Sequence, residues 1–288
     1  MVQLISSSKI LKSTESFKSR NFVFALIDNF SLLSFAGAVD ALRIANRVAP
    51  HSYTWSITSE TGNAVSCSAN ISYNVDNSFL ELGRDDTIIL CGGVDIQVAT
   101  TKRLLNWLRR EARKGVKMVA LCTASYSLAK AGLLNGKKAT IHWENQDSFS
   151  EEFEEIELTK TVFVVDGNRM TTAGGTSSID LMLQLIANDL GEEKANYVAD
   201  QLIYSSIRTN EDQQRLSIPT RIGVRHPKLS RVIQTMEIIN LSGRVVVTKH
   251  FGQAYSQISL DISNLATGIY VAKMTGETAT GTTTFVKR

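Results

Sequence analysis

Lys117-Met118-Val119-Ala120-Leu121-Cys122-Thr123-Ala124-Ser125-Tyr126-Ser127-Leu128-Ala129 decides how this chain is read. An apolar run of strand character stops at Cys122, and small residues then open a helix. A strand that feeds a helix through a sharp turn lifts the residue at the turn above the sheet, and the helix N-terminus behind it favours an anion or thiolate. Cys122 is therefore the first candidate for chemistry.

The segments around this turn repeat its strand-then-helix pattern. Asn21-Phe22-Val23-Phe24-Ala25-Leu26-Ile27-Asp28 is a near-continuous apolar run, as in a strand buried on both faces of a parallel sheet. Helical spacing over residues 36–48 ends at Pro50. Residues 53–58 alternate as a second strand, and residues 65–75 read as a short antiparallel excursion. Asp86-Thr87-Ile88-Ile89-Leu90-Cys91-Gly92-Gly93 is another buried strand, and its glycine pair permits a tight turn with amides free to face a ligand. Residues 101–114 form an amphipathic helix whose Lys102, Arg103, Arg109, Arg110, Arg113 and Lys114 read as a solvated face.

Downstream, residues 139–144 lead into a short helix. Residues 161–165 and 169–172 flank Asp166-Gly167-Asn168, a hairpin signal. Ala173-Gly174-Gly175-Thr176-Ser177 caps a helix over 178–190, and further helices fit 192–206 and 228–236. The alternation predicts an α/β fold with a doubly wound, mostly parallel sheet. From residue 237 the texture changes to alternating strands at 237–240, 244–247, 257–260, 268–273 and 282–286, with no helix. This small all-β unit is near the lower size limit for an independent core.

A length of 288 residues gives room for one large domain and one small one. Hydrophobic and charged fractions of 43% and 20% are those of a soluble globular protein. A net charge of +3 is too mild to argue for nucleic acid or an anionic membrane surface. Cys67, Cys91 and Cys122 are widely spaced, show no metal-ligand pattern and imply reduced thiols in a cytosol. No cofactor is expected, and no apolar run reaches membrane-spanning length, so no membrane insertion is expected. Residues 1–20 read as a disordered tail without the apolar core of a secretory signal.

Several pieces together resemble a known family: Leu90-Cys91-Gly92-Gly93, Ala120-Leu121-Cys122-Thr123-Ala124, Ala131-Gly132-Leu133-Leu134-Asn135-Gly136, Ala139-Thr140-Ile141-His142-Trp143, and Thr172-Ala173-Gly174-Gly175-Thr176-Ser177-Ser178-Ile179-Asp180-Leu181. In this order they resemble the N-terminal sensor domain of AraC-type transcription regulators, a class I glutamine-amidotransferase-like (ThiJ/PfpI) domain of flavodoxin-like fold. That domain is expected over 21–206. Residues 207–236 would be a linker, with His226-Pro227-Lys228-Leu229 opening a remnant first helix of the DNA-binding region. The two helix-turn-helix units that should follow are replaced by residues 237–288. Ile239-Asn240-Leu241-Ser242-Gly243-Arg244-Val245-Val246, Leu260-Asp261-Ile262-Ser263-Asn264-Leu265, Thr267-Gly268-Ile269-Tyr270-Val271 and Phe285-Val286-Lys287-Arg288 resemble part of a type IX secretion (Por) C-terminal sorting domain. The juxtaposition is that of a gene fusion, an assembly artefact or a constructed chimera.

A nucleophilic cysteine needs thiolate stabilisation, a base and oxyanion donors. The candidate catalytic residues are Cys122 and His142, with Glu144 and Asp180 as acids that could orient the histidine. The Thr123 amide and one near Gly92 or Gly93 could supply the oxyanion hole. In the resembled family, peptidase and amidotransferase members place a histidine directly after the elbow cysteine or supply a distant His-x-Glu pair; here Thr123 follows, and no His-x-Glu is expected. Members acting on glyoxals use a glutamate just before the first helix, where alignment on Val39-Asp40 puts Ser34. The balance favours ligand sensing without turnover. A small metabolite, an amino acid or amine, would bind at Gly92, Gly93, Cys122, Thr123, His142, Gly174, Gly175 and Asp180. DNA binding is expected only of intact relatives, and a homodimer through the sheet edge or helices is consistent with the family. The alternatives are a cysteine-dependent ThiJ/PfpI-type amidase or hydrolase and an exported type IX cargo. A cytoplasmic location is expected because no signal peptide is evident.

Overall fold

The structure, a computed structural model, describes residues 19–214, 233–250, 262, 264–276 and 280–287. The chain divides into two compact units after Gln214.

In the first unit the elements run β1 (Arg20–Leu26), α1 (Leu32–Val48), β2 (Tyr53–Ser59), β3 (Val65–Ser66), β4 (Ser72–Tyr73), β5 (Asn77–Ser78) and β6 (Thr87–Cys91). Next come α2 (Ile96–Ala99), α3 (Lys102–Arg113), β7 (Lys117–Leu121), α4 (Ser125–Lys130), β8 (Lys138–Ala139) and α5 (Gln146–Glu152). The unit finishes with β9 (Glu157–Leu158), β10 (Phe163–Asp166), β11 (Arg169–Thr172), α6 (Ser177–Leu190) and α7 (Glu192–Gln201).

A seven-stranded sheet of order β10-β11-β7-β6-β1-β2-β5 is parallel throughout except at the β10–β11 hairpin. Successive residues of β1 point to opposite faces, which is why its apolar run is continuous. Phe22, Phe24 and Leu26 join α1, α6 and α7 residues such as Leu42, Leu183 and Val198 in one core. Val23, Ala25 and Ile27 join Leu108 of α3, Leu128 of α4 and Phe149 of α5 in the other. The sheet is thus covered on both faces, as the strand–helix alternation predicts. β3 and β4 form the short antiparallel excursion expected over 65–75.

The boundaries differ from expectation where packing overrides local signals. α1 begins at Leu32, a turn before the predicted residue 36, because Phe35 packs edge-on against Phe24 and Phe30 at 5.6 and 5.5 Å. α7 ends at Gln201, ahead of residue 206. Its C-terminus closes with Tyr204 N–H on the Ala199 carbonyl and Ile203 N–H on Asp200, both at about 3 Å, with Ile203 left-handed at φ 53°. The cations of α3 are in part structural. Arg109 donates to the Ala131 and Lys130 carbonyls, while Arg110 and Lys114 pair with the buried Glu111.

The second unit contains β12 (Ile233–Asn240), β13 (Val245–His250), β14 (Gly268–Gly276) and β15 (Thr280–Lys287), an antiparallel sheet of order β13-β12-β14-β15. Ile238, Tyr270 and Ala272 are buried together, and Phe285 stacks on Tyr270 with centroids 5.7 Å apart. The helix expected over 228–236 needs correction: residues 233–236 belong to β12. Met236 and Ile238 are its buried positions, a spacing of two that suits a strand and not a helix. Residues 228–232, residues 1–18 of the tail read over 1–20 and the strand expected at 257–260 lie outside the described residues, while Arg20, read as tail, opens β1 and pairs with Asp189.

Candidate functional site

β7 delivers Leu121 in extended conformation, and Cys122 then turns left-handed at φ 62° to open a 3-10 turn, Cys122–Ala124, that leads into α4. A side chain forced into this region costs about 1–3 kcal/mol, and it persists only where surrounding contacts hold it. Those contacts are on three sides. Gly92, at the end of β6, packs so closely that a Cβ there would stand 2.6 Å from the Ala124 nitrogen. A Cβ on Gly93 would overlap the Asn29 carbonyl oxygen. Gly174, with φ 86°, faces Cys122 itself: a Cβ there would lie 2.6 Å from Cys122 Cβ and 2.7 Å from Sγ. Of the glycines singled out from sequence, Gly92 and Gly174 close on the elbow itself, Gly93 closes on the Asn29–Ser31 backbone, and a Cβ on Gly175 would meet nothing within 4 Å.

Polar contacts fix the same arrangement. Thr123 Oγ1 donates to the Gly93 carbonyl at 2.6 Å, locking the β6 and β7 turns together. Gly175 N–H donates to Ser34 Oγ at 2.7 Å, and Ser34 Oγ in turn donates to Ser31 Oγ at 2.9 Å. Ser34 is fully buried. It occupies the place of the glutamate expected by resemblance and serves as a turn anchor, not as an acid. Among the described residues the Gly93 amide makes no hydrogen bond, whereas the Gly92 amide is aimed at the Leu121 carbonyl at 3.4 Å.

The electrostatics do not favour a thiolate. Cys122 is 8% exposed. Burial pushes its thiol up to about 11, the Glu144 charge adds to that push, and a hydrogen bond from the Thr123 amide only partly offsets it. Among the described residues no hydrogen bond joins Cys122 to His142. His142 Nδ1 instead lies 3.8 Å from Glu144 Oε2, and its ring sits 5.7 Å from that of Trp143. The expectation that the chain has no His-x-Glu needs correction: His142-Trp143-Glu144 is such a pair, and its two side chains lie beside each other.

Asp180 has a different place from the one its motif suggests. It is 1% exposed, and its carboxylate receives Tyr204 OH at 3.0 Å, Arg208 N–H at 2.8 Å and the Arg208 guanidinium at 2.6 Å. Burial raises its carboxyl above the usual range against the pull of Arg208. Both oxygens are engaged within the fold, so Asp180 does not serve as a free ligand group. Sequence reasoning does not find these partners, because Tyr204 falls in the helix expected over 192–206 and Arg208 in the linker expected over 207–236. A cavity of about 620 Å³ opens at the carboxyl ends of β1 and β2, and none of the site residues predicted from sequence lines it. Asp28, Asn29, Glu60, Phe79 and Asp95 are among its lining residues. It adjoins the elbow through Asn29, whose carbonyl accepts Val94 N–H at 3.0 Å just after Gly93.

A doubly wound sheet carrying a left-handed cysteine at its central strand–helix turn defines a class of proteins, and the comparisons agree. Residues 20–188 match the DJ-1/PfpI family, and the chain belongs to that family. Residues 212–288 match the secretion system C-terminal sorting domain, beginning upstream of the residue-237 boundary read from sequence. The chain is 39% identical over 251 residues to the HTH-type transcriptional regulator CdhR of Pseudomonas aeruginosa, covering 84% of this chain and 75% of that one. It is 36% identical over 215 residues to GbdR of the same species, spanning 74% of this chain and 59% of that protein. Among solved structures, an AraC family transcriptional regulator from Pseudomonas putida aligns with a TM-score of 0.57 and 26% identity. That alignment covers 64% of this chain and 99% of the other. Drosophila melanogaster DJ-1beta, at 24% identity and a TM-score of 0.55 over 66% of this chain and 100% of its own, shares the fold. Among the described residues no helix follows α7, and no helix is long and apolar enough to cross a membrane.

Proposed function

We propose that residues 19–214 are the small-molecule-sensing part of an AraC-type regulator, present here without the helix-turn-helix region that would read DNA. The observation that carries this reading is the elbow itself. Its backbone is held as a nucleophile would need, yet its thiol is protonated at neutral pH and has no hydrogen bond to a base. Such a site is shaped to bind and not to attack. The regulator relatives agree with it.

The ligand proposed is a small amine or amino acid, seated over Cys122 among the Gly92–Gly93 and Gly174–Gly175 turns and His142. A cation is favoured because Asp28, Glu60 and Asp95 line the adjoining cavity, and no lysine or arginine does. The test is a thermal-shift screen of amines and amino acids against the whole chain, with a gel shift on promoter-sized DNA. Stabilisation by at least one cationic amine and no sequence-specific shift at physiological salt are expected. Specific DNA binding overturns the absence of a reading head, and a screen answered only by anions overturns the ligand class.

A second reading, cysteine-dependent amide hydrolysis, draws on the free Gly93 amide and the His142–Glu144 pair. Turnover of an amide or ester that disappears in Cys122→Ser would establish it in place of sensing. The cytoplasm is the proposed location, since the relatives are regulators. Recovery of the protein on the cell surface would instead give the sorting-domain match its usual meaning. A homodimer is proposed on family grounds and is checked by light scattering.

A further inference from the structure

After α7 the chain does not leave the domain directly. Residues 202–214 cross back over it and are fastened at two places, each adjoining one wall of the elbow. The first fastening is the Arg208 guanidinium. It pairs with buried Asp180 and donates to Thr176 Oγ1 at 2.7 Å. Thr176 follows the Gly174–Gly175 turn that packs on Cys122. The second is Gln214. Its side-chain amide donates to Thr140 Oγ1 and the Ile141 carbonyl, both at 2.8 Å, immediately before His142. Thr140 is also where the elbow helix is held, because Ser125 Oγ donates to the Thr140 carbonyl at 2.7 Å. Next to the second fastening the segment makes a single antiparallel bridge, Gln213 to Thr161, with Val162 N–H on the Asp212 carbonyl at 2.8 Å and Gln214 N–H on the Lys160 carbonyl at 3.0 Å. Ala173 N–H donates to the Val162 carbonyl at 2.8 Å, returning to the glycine turn.

The geometry points to residues 202–214 as a read-out strap, whose two fastenings couple the shape of the elbow to the chain that follows Gln214. A ligand that displaces the Gly174–Gly175 turn moves Thr176 and strains the Arg208 fastening. One that displaces Ile141–His142 strains the Gln214 fastening. Among the described residues the Gln214 side-chain oxygen is buried without a partner, so this second fastening is incompletely satisfied. Coupling of this kind is reciprocal: loosening the strap must loosen the elbow by the same factor. The inference does not depend on which ligand binds, or on whether one does.

Reciprocity supplies a test that needs no ligand. The whole chain is treated with iodoacetamide, and the labelling of Cys122, Cys67 and Cys91 is followed separately by peptide mass spectrometry. In parallel, tryptic cleavage after Arg208 is timed. Asp180→Asn and Gln214→Ala should each raise cleavage after Arg208 and raise Cys122 labelling at least tenfold, while Cys67 and Cys91 stay protected. Prior alkylation of Cys122 in the wild type should in turn hasten that cleavage. Lys137→Ala, which breaks the Lys137–Asp166 pair by the β10–β11 hairpin, should change neither. Faster cleavage after Arg208 with Cys122 labelling unchanged reduces the strap to packing and overturns the proposal. Should Asp180→Asn expose all three cysteines through unfolding, Gln214→Ala, which leaves every charge in place, decides the outcome alone.

Discussion

Raising the pH tests the protonated elbow directly. Burial and the Glu144 charge hold the Cys122 thiol up at about 11, against an ordinary value of 9.0. At pH 7.5 that leaves roughly one thiolate in three thousand molecules, about a hundredfold fewer than for an unperturbed cysteine. Iodoacetamide captures only the thiolate, so the alkylation rate of Cys122 should climb tenfold per pH unit from pH 7 to 10 without levelling. The slope is the measurement, since restricted access lowers the absolute rate but not its pH dependence. Glu144→Gln removes a negative charge that raises the thiol, so the whole profile should move to lower pH. The same shift bears on stability. The folded value lies above the unfolded one, so the contribution is complete below pH 9 and lost as pH rises through 11. It amounts to about 3 kcal/mol. Cys91, raised further by complete burial, acts in the same sense. A Cys122 rate that plateaus below pH 8 would show a stabilised thiolate, refute the reasoning and return the hydrolase reading to first place.

Three further substitutions probe the frame around the elbow. Gly174→Ala places a methyl group 2.6 Å from Cys122 Cβ at a left-handed position and should cost about 2–4 kcal/mol in urea unfolding. Ser34→Ala strips the Gly175 amide of its acceptor and should cost about 1–3 kcal/mol by the same measurement, with Cys122 becoming easier to alkylate. Ile203 is a branched residue held left-handed while 91% exposed, so it packs on little and carries strain. Ile203→Gly should therefore stabilise by about 0.5–1 kcal/mol, seen as a higher thermal midpoint.

The sheet was legible because its signals are local. Continuous apolar runs mark β1, β6 and β7 as strands covered on both faces, and Asp166-Gly167-Asn168 marks the one antiparallel turn. The elbow and its glycines were legible for a related reason: a left-handed turn and close backbone approach leave few residue choices. What the sequence hid depends on contacts between distant segments. Nothing near Asp180 announces that residues 204 and 208 will occupy its carboxylate. Nothing near Ser34 tells a lost acid from a buried anchor until Gly175 arrives opposite it. Of the helix expected over 228–236, residues 233–236 are strand, because the buried Met236 and Ile238 follow a strand's spacing of two on either side of Glu237.

An elbow with a protonated, buried thiol still keeps its strain, and the structure gives a reason. A left-handed Cys122 brings its side chain under Gly174 and turns Thr123 so that its hydroxyl reaches Gly93. Relaxing the backbone there would undo the close contact between the β6 and β7 turns and pull the Gly174–Gly175 turn from Ser34. The strain is therefore spent on shape. Shape is also what the strap could report, since its fastenings at Thr176 and Thr140 stand beside that turn and beside the Ser125 anchor of the elbow helix. In a reactive member the elbow must tune one sulfur. Here it holds four backbone turns in register, and a metabolite that fits between them would move the turns, not the proton.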